Sequence, residues 1–235
     1  MTMSANSHVY LDANATTAVD PRVLEAMLPY FTQQFGNPSS KHGVGEAAAN
    51  DVRRARAQVQ QLLGAAKPTE IVFTSGGTEG ANAAILAALE AAPRRREIII
   101  SAVEHPAVLA LCAYLEKHKG IRIHVIPVDR HGWLDIDAYR RALSDRVAVV
   151  SIMWANNETG VIFPVPELAE LAKEVGALFH SDAVQAARKL PIDLKATEID
   201  MLSLSAHKFH VPKGVSALYV RDSVRFKPQI RAGQQ

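Results

Sequence analysis

Lys208 sits in the stretch Ser205-Ala206-His207-Lys208-Phe209-His210, directly after the apolar run Met201-Leu202-Ser203-Leu204. A lysine delivered by the end of a buried strand, with a hydroxyl and an imidazole beside it, is placed as a Schiff-base amine rather than as a solvating charge. The plainer reading is a strand-end lysine turned to water. A second strand candidate ends Phe179-His180-Ser181-Asp182-Ala183-Val184-Gln185. A carboxylate at the carboxyl end of a buried strand lies where open α/β sheets bind ligands, and it needs a cationic partner. A protonated ring nitrogen would supply that partner, and Gln185 follows closely enough to hydrogen-bond an oxygen of the same ring. The alternative is that Asp182 only caps the next helix.

The segment Ile71-Val72-Phe73-Thr74-Ser75-Gly76-Gly77-Thr78-Glu79-Gly80 reads as strand, glycine-rich turn and helix start. Such a turn aims backbone N–H groups and a positive helix end at one point, and Thr78 adds a hydroxyl, so a phosphate would be held near Gly77 and Thr78. It lacks the Gly-Lys-Ser/Thr ending of a nucleotide-binding loop, and glycine serves a plain tight connection equally well. Ser205 and His207 can reach the same phosphate. His105 follows another strand candidate and precedes a helix, where it can stack on an aromatic group and pass protons, a role worth about 10²–10⁴ in rate; a lone histidine is also a common surface residue. Asn157, in Asn156-Asn157-Glu158-Thr159-Gly160, belongs to a plain turn or to a clamp on a ring substituent or carboxylate. All five signals fall at strand-to-helix junctions on one edge of one sheet, and together they make pyridoxal phosphate the expected ligand.

The elements that must position them alternate short β-branched runs with segments of helical period, the pattern of a mainly parallel sheet covered by helices on both faces. Strands are predicted at Val9–Leu11, Ile71–Thr74, Glu97–Ser101, Arg122–Val128, Val147–Met153, Leu178–Ser181, Met201–Ser205 and Ala217–Val220. Pro21 opens the first helix, and Pro29 predicts a kink or early end. A long helix runs from Glu46 to Leu63 and stops at Gly64; another carries Leu168, Leu171, Ala172 and Val175 and stops at Gly176. With 235 residues, 48% of them hydrophobic, the chain can bury a full core. A net charge of +2 is too small and dispersed to argue for nucleic acid. The one cysteine excludes a disulfide framework within the chain and fits a reducing compartment. Met1 to His8 has no signal-peptide pattern, and Glu90 breaks the longest apolar helix, so a cytoplasmic protein away from membranes is expected.

At this point the chain resembles the cysteine desulfurases of the class V aminotransferase group, pyridoxal-phosphate enzymes of fold type I. The resemblance lies in Tyr10-Leu11-Asp12-Ala13-Asn14-Ala15-Thr16-Thr17, Phe35-Gly36-Asn37-Pro38-Ser39-Ser40, Thr74-Ser75-Gly76-Gly77-Thr78-Glu79-Gly80, Glu104-His105, Asn156-Asn157-Glu158-Thr159-Gly160, Ser181-Asp182-Ala183-Val184-Gln185 and Ser205-Ala206-His207-Lys208. It implies Lys208 as the lysine that carries the cofactor, Asp182 at the pyridine nitrogen, Gln185 at the phenolic oxygen, His105 stacked on the ring and Asn157 nearby. Gly77, Thr78, Ser205 and His207 would surround the phosphate, and Lys208 and His105 would act in catalysis. It further implies L-cysteine as substrate, a homodimer, and an iron–sulfur scaffold or other sulfur-acceptor protein as partner, with no metal of its own. Residues 1–15 would go with a small domain and residues 16–235 with the cofactor-binding large domain.

The resemblance also implies a nucleophilic cysteine on a loop of a C-terminal small domain that would follow residue 235, so this chain reads as truncated. Cys112 lies in a helical apolar pattern and is expected to be a packing thiol. Val211 and Ser216 stand where the family usually has glycine, and a positive φ at Val211 would strain the backbone by about 1–3 kcal/mol. Arg231-Ala232 replaces a usual glycine pair. A selenocysteine lyase or related β-lyase of the same fold type shares these cofactor residues, and a non-catalytic remnant or dimerisation module would share the fold without the turnover.

Overall fold

The computed structural model describes residues 9–230. The Arg231-Ala232 pair and the Met1–His8 segment lie outside them. Thirteen α and β elements alternate along the chain: α1 (Pro21–Thr32), α2 (Gly43–Leu63), β1 (Ile71–Thr74), α3 (Gly77–Ala91), β2 (Glu97–Ser101), α4 (Pro106–Lys119), β3 (Arg122–Ile126), α5 (Ile136–Ala142), β4 (Val147–Ser151), α6 (Val165–Glu174), β5 (Leu178–Asp182), β6 (Met201–Ser203) and β7 (Ser216–Val220). The strands form one sheet in the order β1-β7-β6-β5-β4-β2-β3, parallel except where β7 runs against β1 and β6. The predicted mainly parallel sheet is therefore present, with β7 as its one reversed strand.

Side chains alternate across the sheet into two cores. Ile99, Val150, Phe179 and Leu202 join α5, α6 and the end of α2 on one face. Ile98, Ile100, Val149 and Met201 join α3 and α4 on the other. Strands β2 and β4 are buried at every position, as expected of central strands covered twice. Gly80 permits the approach of α3, because a Cβ there would sit 3.0 Å from the Cβ of Ser203. Glycines end helices in left-handed geometry at Gly64 (φ 59°) and Gly120 (φ 60°), with basic residues in the last turn of α4.

Four expectations are corrected. Val9–Leu11 forms no strand: none of the described residues pairs with it, and all three side chains are exposed. Of the two outcomes expected at Pro29, the end at proline itself does not occur: α1 continues to Thr32, and the Pro29 carbonyl accepts from Gln33 and Gln34. The strands near residues 122, 147 and 201 stop earlier than predicted, at Ile126, Ser151 and Ser203, and the residues freed after the last two include Met153 and Ser205 of the site. Val211 does not carry a positive φ; among the described residues the left-handed non-glycine positions are Arg188 (φ 65°) and His210 (φ 67°).

Candidate active site

A cavity of about 870 Å³ opens at the carboxyl ends of β4, β5 and β6 and the N-terminus of α3. All nine residues singled out in the sequence line it: Gly77, Thr78, His105, Asn157, Asp182, Gln185, Ser205, His207 and Lys208. This is the position where open α/β sheets take ligands.

On the α3 side, Gly76 and Gly77 lead into the helix, and a Cβ on Gly77 would meet Val184 Cγ2 at 3.0 Å and the Leu204 carbonyl at 3.3 Å. Any larger residue would push Val184 or the Leu204 carbonyl back by a few tenths of an ångström, so glycine suits a turn this close to the segment carrying Ser205. The first-turn amides of Gly77 and Thr78 have no acceptor within the helix, and both residues line the cavity, so they are available to an anion there. Glu79 folds back so that its Oε2 accepts from Ser75 N (2.7 Å) and Ser75 Oγ (2.6 Å), fixing the turn.

Asp182 closes β5 at the floor. It is buried; its Oδ1 accepts from Val184 N at 2.9 Å, and turns rather than an α-helix follow, so it caps no helix. Burial raises its pKa, opposed by the Val184 amide and by the charges of His105 and Lys208. Lys208 stands in a short helical turn after β6, and its Nζ donates to the carbonyls of Asn14 (2.6 Å) and Ala15 (2.9 Å). Desolvation, then the charge of Lys189, lowers its pKa, while Asp182 and Asp12 push it back up. An amine so placed loses its proton more readily than a surface lysine, which a nucleophile requires.

His105 is the N-cap of α4. Its Nδ1 accepts from Ala107 N at 3.1 Å, which fixes the ring and leaves the proton on Nε2. Beneath it, Glu104 is buried, accepting from Ser101 Oγ (2.5 Å) and from Met153 N through both oxygens (2.9 and 3.1 Å). Desolvation pushes the Glu104 carboxyl up to about 8. The same loop is tied a second time, by Asn156 Nδ2 donating to the Val103 carbonyl at 3.2 Å. Asn156 also accepts from Glu158 N and Thr159 N, so it organises the turn, while the Asn157 side chain donates to Glu158 Oε1 at 2.7 Å.

Segment 12–17 crosses the cavity as a strap. Thr17 N donates to the His207 carbonyl (2.9 Å), Gln185 Nε2 to the Asn14 carbonyl (3.0 Å), and Asn14 Nδ2 to the Asn157 carbonyl (3.1 Å). The roles of Asn14 and Glu104 were not readable locally, since their partners are 143 and 49 residues distant. Cys112 is away from this cavity, 1% exposed in the core beside α3, and burial pushes its thiol up to about 12.

Comparison with known proteins agrees with this geometry. Residues 9–234 match the family described as Aminotransferase class-V. A protein of Sinorhizobium fredii named cysteine desulfurase is 63% identical over 227 residues, which are 97% of this chain and 59% of that protein. Cysteine desulfurase NifS of Azotobacter vinelandii is 56% identical over 97% of this chain and 56% of its own length. Among solved structures, a NifS-like protein superposes with a TM-score of 0.92 at 42% identity, covering 97% of this chain and 62% of the other. A structure described as SspA in complex with cysteine gives 0.90 at 38% identity, covering 96% and 65%. The chain thus spans less than two thirds of each relative. A family match over nearly every residue, on a fold whose strand ends converge at one polar cavity, shows that the chain belongs to the class V aminotransferase family.

Proposed function

We propose that this chain is the cofactor-binding part of a cysteine desulfurase that uses pyridoxal phosphate to take sulfur from L-cysteine and leave L-alanine. The observation that carries the reading is that the Lys208 amine and the Asp182 carboxylate open into the same cavity, with the N-terminus of α3 on its wall. The residues fit the cofactor. Asp182 is a buried carboxylate whose burial cost a cationic ring nitrogen would offset. Gly77 lets the N-terminus of α3 lie close against the segment that carries Ser205, so that both can face one phosphate. The relatives named cysteine desulfurase support the choice of reaction.

When bound, pyridoxal phosphate supplies an aldehyde for covalent attachment and a ring that takes up the electrons left by loss of the substrate's α-proton. Asp182 would keep a proton on the ring nitrogen. Gln185 Nε2 would donate to the phenolic oxygen, with His105 over the ring and Asn157 near it. The α3 turn at Gly77 and Thr78, with Ser205 and His207, would hold the phosphate. Lys208 Nζ would anchor the cofactor through its aldehyde and, when free, would be the group placed to carry protons to and from the substrate. Cys112 is too buried and too weakly acidic to accept sulfur, so the acceptor thiol is a different cysteine.

In keeping with this reading, residues 1–15 go with a smaller domain and 16–235 with the cofactor-binding domain, in a homodimer that passes sulfur to an iron–sulfur scaffold or another acceptor in the cytoplasm. No helix among the described residues is long and apolar enough to cross a membrane. The test is absorbance: purified protein given pyridoxal phosphate is expected to develop a visible band that Lys208→Ala abolishes. An unchanged band in the variant would overturn the lysine assignment. Sulfide release from cysteine that survives Cys112→Ala would show that the acceptor thiol is not needed.

A further inference from the structure

Lys189 lies in the turns that follow β5, is exposed, and no motif marks it. Its Nζ nevertheless donates to Gln185 Oε1 at 2.7 Å, while Gln185 Nε2 donates to the Asn14 carbonyl at 3.0 Å. An ammonium can only donate and a carbonyl can only accept, so these two partners admit one orientation of the Gln185 amide. Its oxygen is turned to Lys189. Its nitrogen, with one hydrogen spent on Asn14, keeps a second hydrogen for the cavity that Gln185 lines.

We infer that Lys189 is a positioning residue: it holds the buried Gln185 amide with its N–H toward the cofactor's phenolic oxygen and sets a second positive charge beside Lys208. The inference rests on the cofactor reading above. Without Lys189 the amide is free to turn over and present its oxygen to the ring oxygen, which would be repulsive. The charged groups facing Lys208 are Lys189, Asp182 and Asp12, with His207 beside it. Removal of Lys189 therefore acts twice in one direction. The proton on the Lys208–cofactor linkage is no longer repelled by a neighbouring cation, and the ring oxygen, having lost its donor, holds that proton more strongly.

The experiment reconstitutes wild type, Lys189→Met and Lys189→Arg with pyridoxal phosphate and follows the visible band against pH. Lys189→Met is expected to raise the midpoint by about one pH unit and to weaken cofactor binding about threefold to tenfold. Lys189→Arg, which keeps the charge and the donor, is expected to stay near wild type. A midpoint unmoved in Lys189→Met, or moved equally in both variants, would overturn the positioning role. Absence of the band from wild type itself would instead remove the cofactor reading, and this assignment with it. Lys189 is exposed, so neither variant threatens the fold.

Discussion

The central sheet and the arm before residue 45 are held by different forces. Strands β2 and β4 are buried at every position and mostly apolar, and they gain stability from area removed from water. Helix α1 contains no buried residue, and Leu24 and Phe31 are 51% and 68% exposed despite helical spacing of its apolar residues. What fixes the arm is the hydrogen bonding of residues 14–18 to Gln185, His207, Lys208 and His210. An amphipathic pattern thus establishes that a helix forms and which face is apolar. It does not establish that the face is covered within the same chain.

The largest test of that difference exchanges one aromatic in each region for alanine. Phe179 is fully buried between sheet and helices, so Phe179→Ala is expected to cost about 3–5 kcal/mol in urea unfolding. Phe31→Ala is expected to change stability by no more than about 0.5 kcal/mol. Equal losses would break the comparison, because they would mean that the α1 face is buried in solution.

The body of the fold was legible for the same reason that Phe179 matters. Runs such as Ile98-Ile99-Ile100 and Val147-Ala148-Val149-Val150 are short and rich in β-branched residues, which favours strands buried on two faces, and the glycine stops at Gly64 and Gly176 mark helix ends. Val9–Leu11 satisfied the strand pattern but had no neighbour to pair with, which three residues cannot reveal. The site was legible wherever a side chain acts from its own strand end, as at Asp182 and Lys208. It was not legible where a contact joins residues 14 and 208, because no periodicity encodes a pairing across the whole chain. Asn156 and Asn157 are adjacent and alike in chemistry; only the fold shows that Asn156 builds the turn.

Buried titratable groups sharpen the contrast, because they belong to the body and its loops, not to the arm. Glu104 has a folded pKa pushed up to about 8, against about 4.3 in an unfolded chain. Between those values the native state keeps a proton that the unfolded state has lost, so its contribution to stability falls as pH rises across that window. Asp200, pushed up to about 6, adds the same sign over its lower half. His180, held near 3 by burial between Ser151 and Ser203, has the opposite sign, and its contribution is lost as pH falls from about 6.5. Glu104→Gln keeps an acceptor for Met153 N without a titrating proton. Relative to wild type it is expected to gain stability from pH 5 to pH 8, by on the order of a couple of kcal/mol. Parallel stability curves for the two proteins would show that Glu104 is already ionised at pH 5.

The smallest effect is expected where the body grips the arm. Among the described residues, the non-glycine positions with left-handed backbone are Arg188 and His210. His210 bonds Thr17 and Ala18 directly, and Arg188 precedes Lys189, which holds Gln185 and through it Asn14. Strain is therefore placed in the two segments that reach for the strap, where tight turns must aim a side chain back across the cavity. A side chain at positive φ costs about 1–2 kcal/mol, partly offset in a glycine variant by the entropy glycine loses on folding. Arg188→Gly should then stabilise the protein by roughly 0.5–1 kcal/mol and raise Tm by about 1–4 °C, measured by calorimetry. A fall in Tm would show that the Arg188 side chain contributes more than its backbone costs, and would place a stabilising contact of the turn outside the arm.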